Sequence, residues 1–339
     1  MTTYPSLVSI LIPLFNSEKY IRKALQSVVS QSYSNIEVII VDDCSTDSSL
    51  TVAKEFFIEH NTIPHVIIKN DKNEGVSITR NKLVDNANGD FICFLDSDDY
   101  FDHDAIDYLI RIVTSNNTSI GQCLYYSETP DGHPVGTTNK FSPNVILQGK
   151  DAVFSMLENE ITGFLWHKIF RREVFQDVSF DSKLPVFEDY LVIMTMFIKG
   201  ANISFGNEQK YHYIQHTSSL TKKSYQKSLD RLLYLDMTKT FVQPLISTEV
   251  DKLRLIKHEY MVILMVFINA VKFGAPASDV AKIKEYINIH SLIKLKKQLN
   301  LKRFYAIFMI KISPIYFISC LKLLLKLNRN YFRVNMYAF

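Results

Sequence analysis

Three apolar runs in the first hundred residues each stop abruptly at polar side chains. Val8–Pro13 leads into Leu14, Phe15 and Asn16, Ile36–Val41 into Asp42-Asp43-Cys44-Ser45, and Phe91–Leu95 into Asp96-Ser97-Asp98-Asp99. None of the runs alternates polar with apolar, so each reads as a strand buried on both faces. Helical patterns separate them at Ser17–Ser30, Asp47–Glu59, Val76–Ala87 and Asp102–Thr114, with further strands at Val66–Lys69 and Ile120–Tyr126. Buried strands alternating with helices predict an α/β fold built on a mostly parallel sheet, covered on both faces. Ligands of such open sheets bind beyond the carboxyl ends of the strands. The polar clusters, far apart in sequence, should therefore meet along one edge.

Residues Thr129–Ser142 are rich in turn formers and read as a loop. Asp151–Glu158 and the acid-led run Leu184–Lys199 are expected helices, and Ile203–Phe205 and Tyr211–Ile214 short strands. Beyond about Thr221 only helical patterns follow: Ser228–Val242, Val250–Phe273, Ala277–Ile287 and Leu301 to about Leu327. The expected organisation is thus a sheet domain over 1–220 and a helical C-terminal region over 221–339. With 47% hydrophobic residues in 339, the chain can bury a substantial core.

The four cysteines have no CxxC spacing, which fits reduced thiols in the cytoplasm better than a disulfide or zinc framework. The N-terminus lacks the basic start and cleavage site of a signal peptide, and Leu7–Phe15 is too short to cross a bilayer. Ten basic and no acidic residues lie between His290 and Phe339, although the whole chain carries only +3. Basic residues among Phe, Tyr, Ile and Leu over 301–327 suit either an interfacial helix on an anionic membrane or a helix packed on the body, with Pro314 as a break. No nucleic-acid-binding module accompanies the basic tail, so nucleic acid is not an expected partner.

Three carboxylates within Asp96-Ser97-Asp98-Asp99 repel one another, and a divalent cation would remove that repulsion. Mn²⁺ and Mg²⁺ take oxygen ligands from one or two carboxylates, phosphates and water. Asp98 is the first candidate for direct ligation, with Asp96 acting through water or on a ribose. The same acids would also favour the start of the following helix. Asp42 and Asp43 can accept hydrogen bonds from a base or ribose, or serve as turn and cap residues. Phe15 can stack on a base.

A second acidic pair, Glu188-Asp189, opens an apolar helix. Asp189 is the candidate general base for an attacking hydroxyl and Glu188 its reserve. His216 can complete a metal shell, contact a diphosphate or serve the fold alone. Lys72 and Arg80 can neutralise phosphate charge or pair with carboxylates. Trp166, the single tryptophan, with His167 beside it, can wall a sugar ring or pack in the core.

These motifs, in this order, resemble family 2 glycosyltransferases of the A-type fold. The resemblance lies in VSILIPLFNSEKYIRKALQSVVSQSYSNIEVIIVDDCSTDSS, NEGVSITRNKLVDNANGDFICFLDSDDY, WHKIFRRE and FEDY, between about Ser6 and Ser219. It implies a nucleotide-sugar donor, commonly a UDP-sugar, and a glycan or lipid-linked glycan acceptor, as in capsule, exopolysaccharide or lipopolysaccharide assembly at the inner face of the cell membrane. Asp43 would contact the base in a recess lined by Pro13, Phe15 and Asn16. Asp98 would hold Mn²⁺ or Mg²⁺ with Asp96 near the ribose or sugar, and Asp189 would be the base of an inverting displacement. Two residues depart from the pattern: Cys44 where glycine is usual, and His167 for a frequent asparagine. A nucleotidyltransferase and an inactive nucleotide-sugar- or glycan-binding module are the alternatives.

Overall fold

The computed structural model describes residues 6–137, 145–184, 187–216, 225–296 and 298–314. The first part alternates as expected: β1 (Val8–Leu14), α1 (Ile21–Val29), β2 (Ile36–Asp42), α2 (Ser49–Glu59), β3 (His65–Lys69), α3 (Val76–Asp85), β4 (Phe91–Phe94), the two-residue β5 (Tyr100–Phe101), α4 (Ala105–Asn116) and β6 (Ile120–Glu128). It continues through β7 (Pro134–Thr137), β8 (Ile146–Gln148), α5 (Gly149–Leu157), β9 (Lys168–Arg171), α6 (Glu188–Ile198) and β10 (Asn202–Ile214).

The strands form one sheet in the order β3-β2-β1-β4-β9-β6-β10-β5, with β7 on β6 and β8 on β10. Pairings among β1, β2, β3 and β4 are parallel, as is β6 with β10. β9 runs antiparallel to both β4 and β6, and β5 and β8 run antiparallel to β10. The sheet is therefore mixed. The antiparallel elements are short, two to four residues each, and carry no period that would reveal them in the sequence. β7 lies inside the stretch read as a loop.

Ile10, Ile12, Val38, Ile40 and Cys93 pack against Leu25 and Val28 of α1 and Phe56 of α2 in a core from which water is excluded. The chain reaches β4 by a close approach: a Cβ on Gly89 would sit 2.7 Å from the Ser9 backbone nitrogen and 2.8 Å from the Leu7 carbonyl oxygen, so only glycine fits. The two strands expected near 203–214 are one strand with a bulge between Phe205 and Tyr211. Tyr108 Oη accepts from the Asn207 and Glu208 backbone N–H groups at 2.8 and 3.0 Å, satisfying donors that the bulge frees.

Two compact units emerge. One comprises Met1–Val153, Thr162–Lys183 and Glu188–Thr217; the other Phe154–Ile161, Leu184–Phe187 and Ser218–Phe339. Among its described residues the second holds α7 (Tyr225–Val242), α8 (Glu249–Lys272), α9 (Ala277–Lys282), α10 (Ile289–Lys294) and α11 (Leu301–Ile312). A capping box of Thr248 and Asp251 starts α8. Inside this unit His258 is fixed between the Tyr234 hydroxyl (3.0 Å) and the Leu157 carbonyl (2.8 Å), and Arg254 pairs with Glu158. α11 buries Phe304, Ile307 and Ile310 while Leu301, Tyr305 and Ile312 stay exposed. The rest of the expected basic helix, beyond 314, lies outside the described residues. No described helix is long and apolar enough to cross a membrane.

Candidate functional site

The three acids after β4 have three different surroundings. Asp99 is 1% exposed, and its two oxygens accept from the Ile214 backbone N–H and the Tyr211 hydroxyl, both at 2.8 Å. It stitches the loop to β10. The Asp98 side chain is 39% exposed and places Oδ2 3.3 Å from Nε2 of His216. The His216 ring rests against Tyr20, centroids 4.5 Å apart. Asp96 lies 4.0 Å from the Arg80 guanidinium. Loss of solvent pushes the Asp96 carboxyl up to about 6, Arg80 acting against this and Asp98 and Glu188 adding to it. Desolvation raises Asp98 as well.

Arg80, on α3, is 8% exposed and reaches Glu188 at 2.5 Å from Nη1. Its Nε has no partner. Arg80 is thus a carboxylate partner rather than a free cation waiting for phosphate, and Glu188, expected as a reserve base, is occupied by it. Asp189 is half-buried in the first turn of α6, where its Oδ1 accepts from the Tyr190 backbone N–H at 2.8 Å. Burial first, then the adjacent Glu188, raise its carboxyl to about 7 against the pull of Arg80. Asp96 feels Asp98, Arg80 and Glu188, while Asp189 feels Arg80 and Asp96. The acids of β4 and α6 therefore share one electrostatic neighbourhood, organised around a single buried arginine.

The edge after β2 is built differently. Asp43 accepts from Asn70 Nδ2 (2.9 Å) and from the backbone N–H groups of Glu74 (2.8 Å) and Gly75 (2.9 Å). It holds the loop that carries exposed Lys72 and leads into α3, leaving roughly one of its four acceptor positions. Asp42 is 0% exposed; Oδ1 accepts from Ser45 N at 3.2 Å and Oδ2 has no partner. Asn16 Oδ1 accepts from Thr46 N at 2.8 Å, so it joins the first two loops. Pro13 is half-buried within β1, and Phe15, 38% exposed, presents its ring at the strand's end. Cys44 has φ +61 and Asn16 φ +48. Cys44 thus takes the left-handed conformation that glycine would adopt without strain.

Trp166 and His167 are buried, 5% and 1% exposed, so neither presents a surface to a ligand. Trp166 stacks on Tyr211 and Tyr213. Sequence reasoning assigned nothing to Lys168, which is 0% exposed and donates to the carbonyls of Thr162 (2.9 Å) and Phe164 (2.6 Å). Burial holds its pKa well below the ordinary lysine value, with Asp189 acting in the opposite direction. A lysine set between Trp166-His167 and the apolar pair Ile169-Phe170 was the available signal. Tyr211 gave no signal beyond hydrophobicity, and its partnership with Asp99 is visible only in three dimensions.

Asp98, Asp96 and His216 offer two carboxylates and an imidazole. Among the described residues no three His, Cys, Asp or Glu side chains are grouped to hold a metal ion by themselves. The set nevertheless suits a Mn²⁺ or Mg²⁺ ion that takes its other ligands from phosphate and water.

An α/β sheet of this strand order, with acidic residues gathered beyond its parallel strands, is that of the A-type glycosyltransferase fold. Residues 9–179, just over half the chain, match the family model "Glycosyl transferase family 2", and the chain belongs to that family. It is 31% identical over 232 residues to EpsH of Bacillus subtilis, covering 66% of this chain and 64% of EpsH. It is 28% identical to the cholesterol galactosyltransferase of Borreliella burgdorferi, over 63% of this chain and 62% of that protein. The aligned part thus spans less than two thirds of either relative. Residues 1–349 of Staphylococcus aureus TarS, solved with UDP-GlcNAc, superpose with a TM-score of 0.71 over 96% of this chain and 93% of that one; at 16% identity this shows the fold.

Proposed function

We propose that the chain transfers a sugar from a UDP-sugar to a hydroxyl of a glycan or lipid-linked glycan, with inversion, in the assembly of a cell-surface polysaccharide. The observation that carries this reading is the cluster of Asp96, Asp98, Glu188 and Asp189 around Arg80 at the carboxyl edge of the sheet. UDP-GlcNAc in the superposable TarS structure supports the donor class. The names of relatives, poly(ribitol-phosphate) beta-N-acetylglucosaminyltransferase among them, support the setting.

Asp189 takes the proton of the acceptor hydroxyl as its oxygen attacks the anomeric carbon and the bond to the diphosphate breaks. A carboxyl titrating near 7 is matched to that task. Arg80 fixes Glu188 and so keeps a second negative charge beside Asp189. Phe15 stacks on the base, and Asp43 offers its remaining acceptor position to a base N–H. Asp98, His216 and Asp96 would hold Mn²⁺ or Mg²⁺, which supplies a Lewis acid for the charge on the departing diphosphate. The exposed Leu301, Tyr305 and Ile312 of α11 beside Lys302 fit an anionic membrane surface. Co-sedimentation with phosphatidylglycerol vesicles but not phosphatidylcholine vesicles would support that part.

The deciding experiment measures UDP or GDP release from a panel of UDP- and GDP-sugars, with lipid-linked acceptors, with and without Mn²⁺. Metal-stimulated release that vanishes in Asp98→Asn is expected. Wild-type protein that binds a UDP-sugar but never turns it over would favour an inactive binding module.

A further inference from the structure

One exposed aromatic ring in the sheet unit has no role in this scheme. Phe164 is 42% exposed, yet it stacks on Trp166 with centroids 5.1 Å apart and planes 16° from parallel. Trp166 stacks in turn on Tyr213, at 5.4 Å and 4°. The Phe164 ring is therefore held against buried Trp166 while much of it stays open to solvent. Single exposed apolar residues are ordinary. This one differs in how firmly its loop is fastened and where. Lys168, wholly buried, donates to the Phe164 and Thr162 carbonyls. Gly163 lies so close to α6 that a Cβ would sit 2.9 Å from Tyr190 Cα. Tyr190 directly follows Asp189, so the loop is seated against the turn that carries the proposed base.

A pyranose has one face of C–H groups and a rim of hydroxyls. Laying that face on a fixed aromatic ring buries apolar area while the hydroxyls remain free to react. The geometry points to Phe164 as the platform on which the acceptor's sugar ring stacks beside Asp189. This rests on the reading of Asp189 as the base, and it assigns the acceptor side of a site whose donor side lies at the β1, β2 and β4 edge.

Trp166 is the chain's single tryptophan, so its emission reports on Phe164 without interference. The full chain is titrated with methyl β-D-glucopyranoside, methyl β-D-galactopyranoside and methyl 2-acetamido-2-deoxy-β-D-glucopyranoside, with glycerol as control. A saturable emission change with at least one glycoside is expected, absent with glycerol, lost in Phe164→Ala and kept in Phe164→Tyr. With a glycoside that serves as acceptor, Phe164→Ala should raise its KM about tenfold. No saturable change with any glycoside, or the same change in Phe164→Ala, overturns the platform. A change caused by UDP-GlcNAc and reversed by UDP places the donor on the ring and also overturns it. Wild-type protein that releases UDP from no donor defeats the transferase reading, while the emission titration still decides whether a sugar rests on Phe164.

Discussion

Two strands of the same sheet end in adjacent aspartates, and the structure treats them oppositely. After β2, Asp43 collects three N–H donors from the protein's own loop. After β4, Asp99 is likewise completed by Tyr211 and Ile214, whereas Asp96 has a shared arginine at 4.0 Å and Asp98 a histidine at 3.3 Å. Carboxylates completed from within act as struts. Those left short of donors keep acceptor positions that a cation and a substrate can fill. The same residue type after two buried strands therefore meets different surroundings because of what other elements bring to it.

The sharpest break in this comparison comes from exchanging the acids for amides. Asp98→Asn and Asp189→Asn should each lower turnover by about 10²–10⁴-fold while the unfolding midpoint stays near wild type. Asp189→Asn should still bind UDP in calorimetry. Turnover in Asp189→Asn within tenfold of wild type would remove the base from the mechanism. Below pH 7 the wild-type rate should fall about tenfold per unit as Asp189, which titrates near 7, takes up its proton. Asp43→Ala should strike the fold first. It should cost about 3 kcal/mol in urea unfolding, because three donors lose a charged acceptor. A stable but inactive Asp43→Ala would mean that its carboxylate serves the ligand more than the fold.

The helical unit offers a third kind of buried polar group, one completed by neutral partners. Burial lowers His258 to about 4. Between about pH 6.5 and 4 the unfolded chain binds a proton that the native state refuses. The stabilising effect of a neutral His258 is full above 6.5 and is lost as the pH falls to 4. The shift from 6.5 to about 4 corresponds to about 3 kcal/mol. The far-UV circular-dichroism helix signal of the protein should weaken over this range, and His258→Gln should flatten the dependence. An unchanged acid slope in that variant would assign the loss to other groups.

The sheet's first half was legible because strands buried on both faces show as unbroken apolar runs, and their polar ends announced the edge. Asp96 and Asp98 were readable as candidates for the same reason, and Glu188 and Asp189 because the pair opens an apolar helix. β5, β8 and β9 were not, since elements of two to four residues carry no period. The division of labour within Asp96-Ser97-Asp98-Asp99 was also hidden. It depends on Tyr211, Ile214 and His216, more than a hundred residues away, and on Arg80, whose partner Glu188 is equally remote. Trp166 drew attention by its rarity, yet the ring left open to solvent is Phe164, which composition does not single out.

The smallest expected effect tests how complete the β2 edge is. Cys44 sits at φ +61, where an L side chain crowds its own backbone at a cost of about 1–2 kcal/mol. Its thiol gains little in return, lying 3.8 Å from the Asp71 carbonyl oxygen. Cys44→Gly relieves the crowding but gives the unfolded chain more freedom, an offset of about 0.5–1 kcal/mol. A net gain of about 0.5–1 kcal/mol is expected in denaturant unfolding. Cys44→Ala, which keeps the Cβ, should show no gain, and Cys44→Val should lose more than 1 kcal/mol because its branched Cβ suits that φ least. A glycine variant less stable than wild type would mean that the Cys44 side chain completes the edge in its own right, and that this loop, like the one after β4, depends on more than its backbone.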